Sequence, residues 1–283
     1  MQRMKIGKVL FYFFVFLAAF IIMIPFIWTI LLSFKDDAEI FNTPLSFPSV
    51  WNFRNYLRAF QTIDLFKMYS NTAYVAVVSE IIALIITFTG SYAISRLAFK
   101  NKKLRNGLYY YFLIGLGVPV YVLLYPIYRL NVSMNLLNNL WGLILPYVAL
   151  TIPFNVLLFV GYLNGFPSEI EEAAVIDGCN LGSLLTRIVF PVIKPIIATV
   201  TVFNVIYTWN EFPFAVTYIN SNDLYTVSLA TSMFKGKYSM DYSGMVCAII
   251  LIMIPELIFY VCLQRQIISG MTAGAVKAKY ENL

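Results

Sequence analysis

The sequence predicts an all-α membrane protein with six transmembrane helices, and three observations carry that prediction. Of 283 residues, 60% are hydrophobic and only 12% are charged, about half the charged share with which a soluble domain covers its surface. Mean hydropathy is +0.76, too high for an exterior that faces water. The 24 Phe and 20 Tyr suit apolar helix faces and, for Tyr, anchoring at the headgroup level.

Six stretches come near the ~20 mostly apolar residues that a bilayer crossing needs. Val9 to Phe34 is first. Arg3, Lys5 and Lys8 ahead of it give it the look of a secretory signal. It has no small-residue cleavage site and outruns a signal's apolar core, so a permanent helix is expected. Lys35 to Asn71 follows, with Pro44, Pro48, Trp51, Tyr56 and Leu57, and is expected to fold into short interfacial helices that cap the outer side. The remaining spans are Thr72 to Ile94, Leu108 to Tyr128, Leu140 to Tyr162, Pro195 to Phe214 and Gly244 to Leu263. The organisation expected is a short tail (1–8), a membrane domain (9–265) and a second tail (266–283).

Charge orients these helices. With the N-terminus inside, thirteen of the 20 Lys and Arg fall on the inner side, five of them between Arg96 and Arg105. Short basic loops stay in the cytoplasm, so both termini are expected there. The net charge of +6 reflects this asymmetry and not a nucleic-acid surface, because no helix carries a basic amphipathic face. The absence of histidine excludes imidazole metal ligands, histidine bases and histidine pH switches. Cys179, Cys247 and Cys262 have no C-x-x-C spacing and read as small apolar side chains. No G-x-x-x-x-G-K-[ST] phosphate loop occurs in the sequence, so ATP chemistry, if any, lies on another chain.

The connection from Phe166 to Pro195 reads as two short helices joined by a glycine turn. Ser168 and Glu171 have the spacing of a capping box, and Ile170, Ala173, Ala174 and Ile176 form an apolar, small-residue side. Gly178 supplies the freedom that ends the first helix. The second, Leu181 to Val189, is expected to stop at Pro191, which has no amide to continue it. A hairpin this apolar at the inner membrane face should dock into something.

Glu172, Ala173 and Ala174, then Gly178 after three residues, then Ile188, Phe190 and Pro191 after nine more, resemble the EAA loop of ABC importer permeases, with Asp177 before the glycine also in keeping. Phe190 stands where the pattern has Leu, and Cys179 where Ala is common. Trp209, Asn210, Glu211 and Phe212, with the run from Gly270 to Lys277, are similar to the carbohydrate branch, the MalG-like subunits; Ala278 replaces a usual Gly. The resemblance covers essentially the whole chain. It implies a type I ABC importer permease fold in a bacterial or archaeal plasma membrane, with the EAA loop (166–195) as the ATPase-coupling element. It also implies a homologous second permease subunit, two ATP-binding subunits that carry the ATP and Mg, and an extracellular sugar-binding protein, with no cofactor on this chain. By the same resemblance, Gly274, Ala275 and Lys277 reach the ATPase. Six helices are few for enclosing a sugar-sized passage, which agrees with a two-subunit pore.

Glu80, Glu211 and Glu256 lie within spans, where a charge costs at least about 2.5 to 3.5 kcal/mol on insertion scales and therefore faces protein or water. Each either lines a sugar path or bonds to another helix. Asn155, Asn204, Tyr207 and Asn210 are further pathway candidates, since sugars are held by hydroxyl hydrogen bonds and aromatic faces. Two other functions stay open at this point: an ion-coupled secondary transporter using one of the three carboxylates, and a membrane-embedded enzyme.

Overall fold

The computed structural model describes the backbone of residues 2–236 and 240–280 and the side chains of 7–236 and 240–264. Among the described residues the regular elements are helices. Four are long and apolar enough to cross a membrane, Gly7–Ser33, Leu65–Arg96, Trp141–Gly165 and Tyr242–Gln264, and two bent pairs bring the number to six if each pair is one span.

Two compact units divide the chain. The first is Met1–Leu65 with Ala230–Pro255. Its helix α1 (Gln2–Ser33) has no buried residue in its apolar window, so lipid or another chain covers it. Short helices are present in the stretch where they are expected, as α2 (Asp37–Asn42) and α3 (Arg54–Thr62). Lys35, fully buried, ties this cap together: its ammonium donates to the carbonyls of Thr43 (2.6 Å) and Pro44 (3.4 Å) and to Ser46 Oγ (3.1 Å). Arg58 pairs with Asp241 at 3.0 Å and donates to Ser243 Oγ at 2.8 Å. The Tyr56 hydroxyl bonds Ser33 Oγ at 2.8 Å, and burial raises its pKa above the ordinary value, which keeps it neutral.

The second unit is Phe66–Leu229 with Glu256–Leu283. It contains most of α4 (Leu65–Arg96), then α5 (Lys102–Ile114), α6 (Leu124–Ser133), α7 (Trp141–Gly165), α8 (Glu169–Ile176), α9 (Leu181–Ser183), α10 (Phe190–Val192), α11 (Lys194–Asn210) and α12 (Pro213–Tyr218). The last helix, α13 (Tyr242–Tyr280), contributes to both units. Its backbone continues as helix to Tyr280, within the stretch read from sequence as a tail.

Two expected spans depart from straight helices. Leu108 to Tyr128 is broken: α5 and α6 are joined through 3-10 turns, and the two halves meet at 93°. The break sits at Val118 and Pro119. Proline lacks the amide that would continue the ladder and forces its predecessor out of helical space, here to φ −85°, ψ 118°. Pro195 to Phe214 ends early, at Asn210. Its 17 residues give about 26 Å of rise, near the lower limit for a crossing.

Among the described residues, three apolar clusters hold this unit. One, around Leu143, Tyr147, Phe214 and Tyr218, joins α7 to α12. Another, with Phe159, Leu163, Ala174, Leu184, Val189 and Ile193, seats the hairpin after α7 on the ends of the membrane helices. A small third cluster of Ile94, Val156 and Val160 lies between α4 and α7.

Candidate functional site

The hairpin is built by local sequence. Helix α8 ends at Asp177, and Gly178 follows at φ +81°, the left-handed region that glycine enters without steric cost. Gly178 N donates to the Val175 carbonyl and Cys179 N to the Ala174 carbonyl, both at 3.0 Å, the paired bonds of a Schellman turn. Asn180 then caps the next segment, its side chain accepting from Ser183 N at 2.9 Å. That cap was legible as an Asn immediately before an apolar run but does not figure in the motif reading.

Two expectations for the hairpin are corrected. Ser168 makes no side-chain cap bond, because its backbone is already helical (φ −69°, ψ −24°) where a capping residue is extended, and the Glu171 carboxylate that would complete a capping box is engaged elsewhere. Arg96 Nε lies 2.9 Å from Glu171 Oε1, and the Tyr92 hydroxyl donates to Oε2 at 2.8 Å. The Glu171 carboxylate is thus held by an ion pair and a hydroxyl hydrogen bond from α4 and not by the first turn of its own helix. Pro191 does not stop the second helix either. Leu184–Val189 widens to a π-turn with Phe190 N bonded to the Leu185 carbonyl, and this register accommodates a residue without an amide. The chain instead bends by 77° between Leu181–Val192 and Lys194–Asn210.

The residues expected to couple are brought onto one hairpin but not onto one face. Glu172, Ala173, Asp177, Gly178 and Pro191 are exposed, and Ile188 is half-buried. Ala174 points into the chain's own core at 7% exposure, since successive helical residues are rotated by about 100°. Ile176 is 84% exposed, a large apolar group left at the tip beside the two acids. The side chains of Gly274, Ala275 and Lys277 lie outside the described residues.

In the membrane part, Asn204 and Tyr207 line a cavity of about 250 Å³ together with Thr151, Phe154 and Phe203. The Phe154 and Phe203 rings meet edge to face at 5.4 Å. The lining is mainly apolar and aromatic, with Thr151, Asn204 and Tyr207 as its polar residues. Asn204 Nδ2 also donates to Glu80 Oε2 at 2.7 Å, so Glu80, 7% exposed, is held from α11. Asn155 is fully buried in α7, and neither of its amide atoms has a hydrogen-bond partner among the described residues.

Glu211 is not among the residues that line the cavity. It sits in the break between α11 and α12 and accepts from Phe214 N (2.8 Å), Ala215 N (3.1 Å) and the Tyr147 hydroxyl (2.6 Å). This is a cap on the N-terminus of α12, where a carboxylate is favoured by unpaired amides and by the helix dipole. Asn210 instead donates to Glu256 Oε1 at 2.8 Å, so two of the isolated polar groups of the sequence pair with each other.

Apolar helices of membrane-spanning length with a hairpin between two of them fit the transport-permease resemblance of the sequence. Comparison with known proteins agrees. The family described as "binding-protein-dependent transport system inner membrane component" matches residues 86–273, and the chain belongs to that family. It is 34% identical over 273 residues to a putative ABC transporter permease protein, ORF2, of Caldicellulosiruptor, covering 94% of this chain and 96% of the relative. It is 29% identical to the diacetylchitobiose uptake system permease protein NgcG of Streptomyces coelicolor, covering 91% and 85%. Among solved structures, a bacterial ABC transporter involved in import of the acidic polysaccharide alginate aligns with a TM-score of 0.73 at 20% identity, covering 92% of this chain and 96% of that one. The fold is therefore that of an ABC importer permease. Family membership makes the chain a component of a membrane transport system and sets aside the ion-coupled carrier and the membrane enzyme.

Proposed function

We propose that this chain is one permease half of an ATP-driven importer for carbohydrate, more specifically oligosaccharide, in a bacterial or archaeal plasma membrane with both termini cytoplasmic. A homologous permease completes the passage, an extracellular sugar-binding protein delivers the ligand, and two ATP-binding subunits hydrolyse ATP with Mg. The hairpin at Glu172, Ala173, Asp177 and Gly178 docks on one ATPase as a helix in a groove. Gly274, Ala275 and Lys277 extend the same contact. The carbohydrate assignment draws support from the uptake function named for the NgcG relative and from the aromatic and amide lining of the cavity at Asn204 and Tyr207.

The observation that carries the coupling role is the hairpin's division of labour. Ala174, Leu184 and Val189 bury it in its own chain, while Ile176, Glu172 and Asp177 are exposed. The exposure of several apolar groups of the hairpin together, Ile176 (84%), Val175 (57%) and Leu181 (50%), supports a surface that a partner covers. Affinity capture of the tagged chain from membranes, followed by reconstitution and uptake of a labelled oligosaccharide panel, tests the reading. Co-purification of an ATPase and ATP-dependent oligosaccharide uptake are expected. Uptake driven by an ion gradient without ATP, or ATP-dependent uptake of amino acids but no sugar, would overturn it.

A further inference from the structure

We infer that Arg96 is the positioning residue that fixes the hairpin to α4, making α4 the rod that carries hairpin movement to the Glu80–Asn204 contact beside the membrane cavity. This rests on the coupling role proposed above. Of the two successive carboxylates, Glu172 faces out towards a partner and Glu171 faces in, with 9% of its side chain exposed against 15% for Arg96. The guanidinium serves two elements at once: Nε meets Glu171 on α8 at 2.9 Å, and Nη2 donates to the carbonyl of Phe166, the C-cap of α7, at 2.6 Å. It also lies over the Phe166 ring, 5.8 Å from its centroid, which adds a cation–π attraction. Lysine has no planar fork with which to do this.

The helix dipoles reinforce the pair. Arg96 is the last residue of α4 and Glu171 lies in the first turn of α8, so each charge sits at the helix end that favours it. Tyr92, one turn before Arg96, donates to the other carboxylate oxygen. Both oxygens of Glu171 are thus held from α4, and a sheltered ion pair with one partner removed is strongly unfavourable. The hairpin cannot tilt against α4 without breaking that arrangement. Glu80 lies 16 residues earlier on the same uninterrupted helix, about 24 Å away along its axis. It holds Asn204, whose side chain lines the cavity. A displacement at one end therefore reaches the other through a stiff element and two buried bonds, a physical route whose existence is decided by measured coupling.

The test uses the full complex of both permease subunits, ATPases and binding protein in vesicles, reading sugar imported per ATP hydrolysed together with ATPase stoichiometry. Tyr92→Phe keeps the ring and loses one bond to the carboxylate, and should lower the ratio about fivefold. Arg96→Lys and Glu171→Gln should lower it about tenfold or more with the ATPases still bound. Combining Glu171→Gln with Asn204→Leu should cost no more than the larger single effect, because both cut one route. An unchanged ratio in Tyr92→Phe and Arg96→Lys, or fully additive losses in the double variant, overturns the inference. If Glu171→Gln does not accumulate, Tyr92→Phe and Arg96→Lys decide. Failure of the coupling role itself reads differently: the wild-type complex would then hold no ATPase, which removes both proposals, whereas normal ATPase binding with an insensitive ratio removes only this one.

Discussion

Replacing Glu211 by alanine should unseat α12 before it affects any sugar contact. The carboxylate receives three hydrogen bonds, from Phe214 N, Ala215 N and the Tyr147 hydroxyl, in a site where Glu211 is 5% and Tyr147 is 1% exposed. Truncation leaves three sheltered donors unpaired, each worth about 1 kcal/mol at the low end, so the loss is about 3 kcal/mol. For a unit of this size that corresponds to about 6 to 12 °C in melting temperature. Glutamine keeps a carbonyl oxygen for Phe214 N, while its amide can donate to the Tyr147 oxygen and leaves only Ala215 N unpaired, and should cost about 1 kcal/mol. The assay is thermal unfolding of the purified permease pair in detergent, alongside membrane accumulation and uptake per molecule. An alanine variant that melts like wild type yet imports differently would refute the capping argument and return Glu211 to the sugar path.

Four further outcomes are expected. Gly178→Ala forces an L-residue to φ +81° at a cost of about 1 to 2 kcal/mol; it should weaken ATPase retention on purification, whereas Gly178→Asn, tolerated in left-handed caps, should retain more. A Cβ at Gly115 would meet Pro153 Cγ at 2.6 Å, so Gly115→Val should lower accumulation in the membrane, and equal accumulation would show that α5 and α7 can separate there. Lys35→Met leaves the carbonyls of Thr43 and Pro44 without their ammonium donor at about 2 kcal/mol, and should speed proteolytic nicking between residues 43 and 52. Single cysteines at Lys100 to Lys103, in a cysteine-free background, should resist membrane-impermeant reagents on intact cells; labelling from outside would reverse the proposed topology.

What the sequence determined by itself was whatever short windows of chain can encode. Apolar length marked the membrane helices, and the stretch around Ala173, Gly178 and Pro191 marked a hairpin because a glycine-terminated helix is specified within one or two turns. The break at Val118 and Pro119 was also written locally, yet hydropathy alone ran straight across it, since a proline leaves the apolar count unchanged. Tertiary structure alone decided the partners of the polar groups. Tyr92 and Glu171 are 79 residues apart, and Glu80 and Asn204 are 124 apart; no periodicity links such positions. Glu171 was expected as a cap because its nearest sequence neighbours offered one, and Arg96 as a topology signal because it ends a span. Folding brought the two charges together in a sheltered site, where their attraction exceeds what either local role supplies. The same holds for Glu211, whose carboxylate is a pathway candidate in sequence and a helix cap in space: a buried acceptor takes the donors that the fold aims at it, and only the fold aims them.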